Sequence, residues 1–309
     1  MYQGVINVYK EPGYTSFDVV AKLRGILGQK KIGHTGTLDP EAEGVLVVCL
    51  GRATKLCERL TDKDKSYVAT LMLGVETDTE DMTGTVLRRH AVTVTEEEVV
   101  SAILSFVGAY DQIPPMYSAI KVNGKRLYEL ARKGIEVERV PRSVTIYRIE
   151  GIEVSLPVVT FRVTCSKGTY IRSLCRDIGE RLSCGGVLMK LVRDSVYLEQ
   201  AGKAFTKEDA FTLSQIEQLT ASGELERHIL SVEEMFSSWP RRRVLPEANT
   251  KLYNGNLLRE KDFDPLPRDS FVTDGTECLV YDGNGTFAAI YRYQKESRAW
   301  KAQTMFLQG

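Results

Sequence analysis

Residues 32–51 read IGHTGTLDPEAEGVLVVCLG. A short polar loop of glycine, threonine and a single aspartate runs straight into GVLVVCL, a stretch with the length and β-branched content of a buried strand. Loops held by rigid buried strands are where chemistry concentrates, which makes Asp39 a candidate functional residue. The competing reading is structural: an aspartate before Pro40 bonds nearby backbone amides, and the proline fixes the next φ. His34 is ambiguous in the same way, as a loop or core histidine or as a working one.

Working outward, GVINVYK reads as a strand and EPGYT as a turn. SFDVVAKLRGILG reads as a helix, with Ser16 expected as its N-cap, Val19, Val20, Leu23, Ile26 and Leu27 on one face, and Gly28 as the stop. ATKLCERL is a short helix and KSYVATLMLG another strand. After the acidic, turn-rich ETDTEDMTG, Thr95 and Glu98 form a capping box. The helix it opens is expected to carry an apolar stripe of Val99, Val100, Ile103, Leu104 and Val107. In VVTFRVTC, Val159, Phe161, Val163 and Cys165 alternate with Thr160, Arg162 and Thr164, the pattern of a half-buried strand; TYIRSLCRDIGERL then turns helical. Strands and helices mix without a strict βαβα rhythm, so the expected class is α+β, with a largely antiparallel mixed sheet and flanking helices. WPRRR marks a change of composition. Residues 1–240 are expected to form one domain and 241–309 a small β-rich module, with turns at YNGN, TDG and DGNG, attached by a short basic linker.

The 309 residues are 43% apolar, enough for a substantial core. No basic segment with a long apolar run opens the chain, and no stretch reaches the roughly 18 apolar residues of a spanning helix, so a cytoplasmic protein with no membrane partner is expected. Six cysteines without a CxxC pair and three scattered histidines do not form a zinc ligand set, so no metal is expected and the thiols are expected to be reduced and mostly buried. The zero net charge hides an uneven distribution: between Lys121 and Arg193 basic residues outnumber acidic ones about two to one, and the excess reverses in 74–111 and 204–239. A nucleic acid responds to such local fields.

Two further segments stand out. IPPMYSAIKVNGKRLYELARKG has an extended proline entry, a turn at Asn123-Gly124 and then a basic aromatic helix. Lys121, Lys125, Arg126, Arg132 and Lys133 interleave with Tyr117 and Tyr128, a mixture suited to phosphates and unpaired bases or, equally, to a plain amphipathic helix. SKGTYIRSLCRDIGERL places Arg172 and Arg176 one helical turn apart, which suits a surface ion-pair face or a functional arginine.

Together, KIGHTGTLDPEAEGVLVVCLGRATK, PPMYSAIKVNGKRLYELAR and SKGTYIRSL resemble, in order and spacing, the bacterial TruB-type tRNA pseudouridine(55) synthases. The resemblance runs from about Gly4 to Arg193 and implies the pseudouridine synthase fold, while the tail is similar to a PUA-type RNA-binding module. It implies that Asp39 is the catalytic aspartate, Arg172 its arginine partner, and Tyr67 the aromatic that stacks on the extruded base. It further implies that His34 enters the T loop, that Tyr170 and Leu191 line the pocket, and that Lys10 and Lys121 belong among the RNA- and substrate-binding residues. The implied reaction is a cofactor-independent isomerisation of uridine 55 with base flipping, on the tRNA T stem-loop, by a monomer with no guide RNA.

This chain departs from the family pattern at Glu11, with Pro12 shifted by one, at Phe17, and at Val192 and Asp194, which weaken the case for a phosphate contact near Leu191. No P-loop, dinucleotide fingerprint or zinc pattern competes with the isomerase reading. The alternatives are a guide-RNA-dependent catalytic subunit, an RNA-binding or RNA-folding protein without turnover, and a carboxylate glycosidase, which would need a second positioned acid.

Overall fold

The computed structural model describes residues 1–61, 64–198, 202–265 and 272–307. The strands of its main sheet are β1 (Gly4–Lys10), β2 (Ile32–His34), β3 (Glu43–Leu50) and β4 (Lys65–Leu73), then, beyond a small hairpin of β5 (Val75–Thr77) and β6 (Val86–Arg89), β7 (Gly108–Gln112). A second hairpin, β8 (Lys121–Val122) with β9 (Lys125–Arg126), separates these from β10 (Arg142–Ser155), β11 (Val158–Cys165), β12 (Gly186–Leu198) and β13 (Lys203–Thr206). The sheet has nine strands in the order β1-β3-β12-β4-β11-β10-β7, with β2 on β3 and β13 on β12. Every pairing is antiparallel except β3 with β12, which run parallel through Val192↔Glu43 and Arg193↔Gly44. The α+β class with a largely antiparallel mixed sheet is therefore the observed one.

β3 is buried on both faces, as its unbroken apolar run requires. Leu46, Val48 and Leu50 face α1 (Ser16–Leu27), whereas Val45, Val47 and Cys49 pack with Leu279, Ile290 and Phe306 of the C-terminal region. Beyond the short α2 (Cys57–Thr61), two helices cover β4 and β11: α3 (Glu96–Leu104) and, past the five-residue α4 (Leu127–Ala131), α5 (Ile171–Arg181). Val99, Ile103, Leu174 and Ile178 of these helices meet Ala69, Leu71, Phe161 and Val163 there.

Three local readings need correction. Thr15, not Ser16, caps α1, in a reciprocal box with Asp18, and Gly28 ends the helix in the left-handed region. The Thr95–Glu98 box is present, but α3 stops at Leu104; Leu104 and Val107 are exposed, and Phe106 enters the core in their place. The basic stretch after Trp239 is no linker. Arg241–Arg243 forms β14, which runs parallel to β15 (Glu277–Tyr281) in a four-stranded sheet with β16 (Phe287–Gln294) and β17 (Ala299–Met305). Arg242 is buried there over Phe263 and Trp300 and paired with Glu260 at 2.9 Å, which is why a run of arginines can enter a strand.

The segment after β3 fastens this sheet to the first. Arg59 makes two hydrogen bonds to Glu277, at 2.6 and 3.1 Å, while Arg52 and Lys55 donate to the carbonyls of Phe306 and Met305 at 2.6 and 2.7 Å.

The parallel junction depends on a glycine. Gly44 has φ +106°, and a Cβ there would lie 2.3 Å from the Arg193 carbonyl oxygen, a backbone atom that cannot swing away. Gly44→Ala is expected to lower stability by about 3 kcal/mol in urea denaturation, from the strained φ and the clash together. A loss below about 1 kcal/mol would mean that β3 and β12 can separate without cost.

Candidate active site

Asp39 sits in the loop between β2 and β3, which is held on three sides. Ser16, released from capping, is buried at the start of α1, and its Oγ accepts the Leu38 amide at 2.9 Å. Lys10, at the end of β1, is wholly buried, and its Nζ donates to the carbonyls of Glu11, Pro40 and Ala42 at 3.0, 2.8 and 2.6 Å. Arg193, on β12, donates Nε to Val45 O at 2.6 Å and Nη2 to Gly36 O at 3.0 Å.

The free face of the loop meets α5. Arg172 Nε lies 2.9 Å from Asp39 Oδ2 and its Nη2 lies 3.3 Å from Oδ1, a two-point grip that fixes the carboxylate plane. The guanidinium is itself held: Nη2 donates to Tyr117 O at 2.9 Å, Nη1 donates to Thr79 O at 3.1 Å, and Asp81 Oδ2 stands 3.7 Å from Nη1. Only 6% of the Arg172 side chain is exposed, against 43% of the Asp39 side chain. The arginine is thus locked behind a carboxylate that a ligand can still reach.

Burial pushes the Asp39 carboxyl above the ordinary carboxylate value, the Arg172 cation opposes that shift, and Asp81 adds to it. Tyr67, on β4, is buried opposite Arg193 in the sheet; burial drives its hydroxyl up to about 12 against the pull of Arg193, so it stays a neutral phenol. His34 ends β2, and its Nδ1 accepts the Gly36 amide at 3.3 Å. Burial, and then the charge of Arg193, lowers its pKa, leaving a neutral imidazole at pH 7.

Tyr170 caps the start of α5, its backbone fixed by Gln112 through bonds of 2.8 and 3.0 Å. Leu191 is buried in the same cluster as Tyr67 and Leu38. The fold therefore brings Arg172 onto Asp39 and sets Tyr67 and Tyr170 within reach of its charge, packs Leu191 with Leu38 and Tyr67, and leaves His34 at the end of β2 where the loop begins.

Two expected residues behave otherwise. Lys10 has no exposed surface and donates to the carbonyls of Glu11, Pro40 and Ala42, so it holds the loop from within. Lys121 lies exposed on the β8–β9 hairpin, turned by Asn123 (φ 51°) and Gly124 (φ 80°), and among the described residues no hydrogen bond joins it to the Asp39 group. The basic aromatic helix is only Leu127–Ala131, and Tyr128 is flanked by Arg126 and Arg132, 5.8 and 5.4 Å from its ring centre. A cleft of about 740 Å³ is lined by Met116, Tyr117, Glu80 and Arg176 and does not include Asp39.

Arg193 and Asp81 were not singled out from the sequence. Strand alternation next to Leu191 offered the one signal for Arg193. Asp194, read as a weakness there, pairs instead with Arg162 and Lys207.

The chain is similar to known proteins over nearly its whole length. Residues 24–171 match the family described as TruB family pseudouridylate synthase (N terminal domain). A protein of Lachnoclostridium phytofermentans named tRNA pseudouridine synthase B is 52% identical over 98% of this chain and 99% of its own length. One of the same name from Clostridium perfringens (strain 13 / Type A) is 46% identical over 99% of each. Among solved structures, a Cbf5-Nop10-Gar1 complex contains a chain with a TM-score of 0.71 and 26% identity, covering 98% of this chain and 85% of that one. A chain of an H/ACA RNP bound to a substrate RNA has a TM-score of 0.69 at 24% identity, covering 99% and 85%.

The opposition of burial and Arg172 can be read directly by carboxyl ¹³C NMR titration. Asp39 is expected to titrate above an ordinary aspartate, and Arg172→Met to raise it further, by about 1–3 units. An unchanged or lowered value in the variant would show that the guanidinium does not hold the carboxylate anionic.

Proposed function

Since the chain belongs to the TruB family of pseudouridylate synthases and is a tRNA pseudouridine synthase, we propose that its target is uridine 55 of the T loop and that Asp39 carries the chemistry. The observation on which this reading rests is the Asp39–Arg172 pair, an open carboxylate gripped from behind by a buried guanidinium. Isomerisation breaks the bond from the ribose C1′ to uracil N1 and joins C1′ to C5; the C5 proton leaves and N1 regains one. An anionic carboxylate at the sugar serves either as nucleophile at C1′ or as base at C2′, and then assists the departure of the C5 proton.

The uridine must first leave its stack, at a cost of a few kcal/mol. Tyr67, neutral and packed beside Leu191, offers a face for the extruded base. His34 is uncharged, so it can enter the loop without carrying a desolvated cation. Arg193 belongs to the machinery through Tyr67 and the loop carbonyls.

On this reading residues 1–240 perform catalysis and 241–309 form a PUA-like RNA-binding domain. The enzyme works in the cytoplasm as a monomer, without guide RNA or cofactor. The stand-alone reading is supported by the full-length match, at 52% and 46% identity, to proteins named tRNA pseudouridine synthase B; the chains found in complexes with Nop10 and Gar1 or in an H/ACA RNP are 26% and 24% identical. No helix among the described residues is long and apolar enough to cross a membrane.

Tritium release from a T-arm transcript carrying 5-³H-uridine tests the assignment. Wild type is expected to release tritium and Asp39→Asn to lose at least about 10⁴-fold in rate while still binding the RNA. Release by both proteins would remove Asp39 from its role, and liberation of free uracil would indicate a glycosidase. Lys10→Met is expected to slow single-turnover release by about tenfold or more with RNA affinity unchanged, because the loop loses its buried anchor. Weaker binding at an unchanged rate would place Lys10 on the RNA after all.

A further inference from the structure

Next to the reactive pair lies a second ion-pair system that the reaction does not use. Glu80 is 8% exposed and has φ +62°, a left-handed conformation that favours glycine and strains other residues. Its carboxylate accepts Ser173 Oγ at 2.6 Å and pairs with the Arg176 guanidinium, and its carbonyl accepts the Leu188 amide of β12 at 3.1 Å. Arg176 in turn binds Asp177 at 2.6 and 2.8 Å and donates to Ile113 O at 3.1 Å. A strained residue with a buried carboxylate persists only where its surroundings over-determine it.

The neighbours of Glu80 give the position its meaning. Thr79 supplies the carbonyl that Arg172 Nη1 donates to, and Asp81 supplies the carboxylate 3.7 Å from the same nitrogen. Both acceptors thus flank one residue, and that residue is clamped to α5 by Ser173 and Arg176, one position and one turn beyond Arg172. We infer that Glu80 is a positioning residue for the reaction, fixing through Ser173 and Arg176 the segment whose two acceptors aim Arg172 at Asp39. The inference rests on the reading of Asp39 given above and adds a residue that never meets substrate.

The charges around the two carboxylates make the effect separable. Glu80 faces Arg176, Asp177, Ser173 and Cys175 of α5. Asp39 faces Arg172 of α5, Asp81 and Lys10, with the phenols of Tyr67 and Tyr170 nearby. Direct removal of an anion at position 80 would, if anything, lower the Asp39 pKa. Misplacement of Arg172 raises it. The two routes differ in sign.

The test uses the full chain with Glu80→Gln, which keeps the shape, and Ser173→Ala as a milder break. Expected for Glu80→Gln is a carboxyl ¹³C NMR titration with Asp39 moved up by about half a unit or more, reproduced in the acid limb of the single-turnover rate. The rate itself should fall about 10- to 100-fold with affinity for tRNA unchanged, and Ser173→Ala should give smaller shifts of the same sign. An Asp39 titration that is unmoved or lowered in both variants would overturn the inference, even if the rate falls, since that is the mark of a scaffold residue. Because the NMR readout needs no turnover, it stands or falls separately from the assignment of uridine 55.

Discussion

The arrangement depends on keeping one carboxylate charged, oriented and reachable in partly desolvated surroundings. Asp39 alone would be driven towards its neutral acid by burial, and a surface aspartate would be ionised but undirected. The two-point contact with Arg172 answers both requirements, and it works because the guanidinium has no freedom of its own: its other donors are taken by Thr79 and Tyr117 carbonyls. Arg172 therefore binds four chain segments together, namely the Asp39 loop, the stretch after β5, the stretch before β8, and α5 itself. An exposed arginine making the same pair would contribute little, since solvent screens such contacts.

The sheet provides the frame. Its one parallel pairing brings the start of β3, immediately after the Asp39 loop, against Arg193 of β12, and Gly44 lets the two backbones approach. Arg193 then reaches the loop carbonyl of Gly36 from the strand that also carries Leu191, and lies opposite Tyr67 on β4. Two strands, β1 and β12, and two helices, α1 and α5, converge on a loop of a few residues. Such convergence sets Asp39 apart from an ordinary turn aspartate, although the two look alike over any short window.

Much of the architecture was readable because periodicity and capping are local. Alternation in VVTFRVTC, the run in GVLVVCL and the Thr95–Glu98 box each place their element correctly. Errors fell where a local preference was overridden by a long-range partner. Ser16 looks like a cap, but its hydroxyl is taken by Leu38, and Thr15 caps instead. WPRRR looks like a basic linker, but Glu260, Phe263 and Trp300 make a buried place for Arg242.

By itself, the sequence determined the class of fold, the strand behind the Asp39 loop and, through motif order, the family and the residues worth examining. Those signals lie in spacing along the chain. Spacing alone does not say which arginine meets the aspartate, although the family resemblance implied Arg172; the tertiary structure shows it, because Arg172 and Arg176 sit on one face of α5 with the same chemistry, yet Arg172 meets Asp39 and Arg176 meets Glu80. The physical reason is that a charge pair across a fold is fixed by the packing of the helix on the sheet. A displacement of one helical turn, about 5.4 Å, would bring Arg176 to Asp39 in place of Arg172, and no periodicity or spacing in SKGTYIRSLCRDIGERL fixes that position.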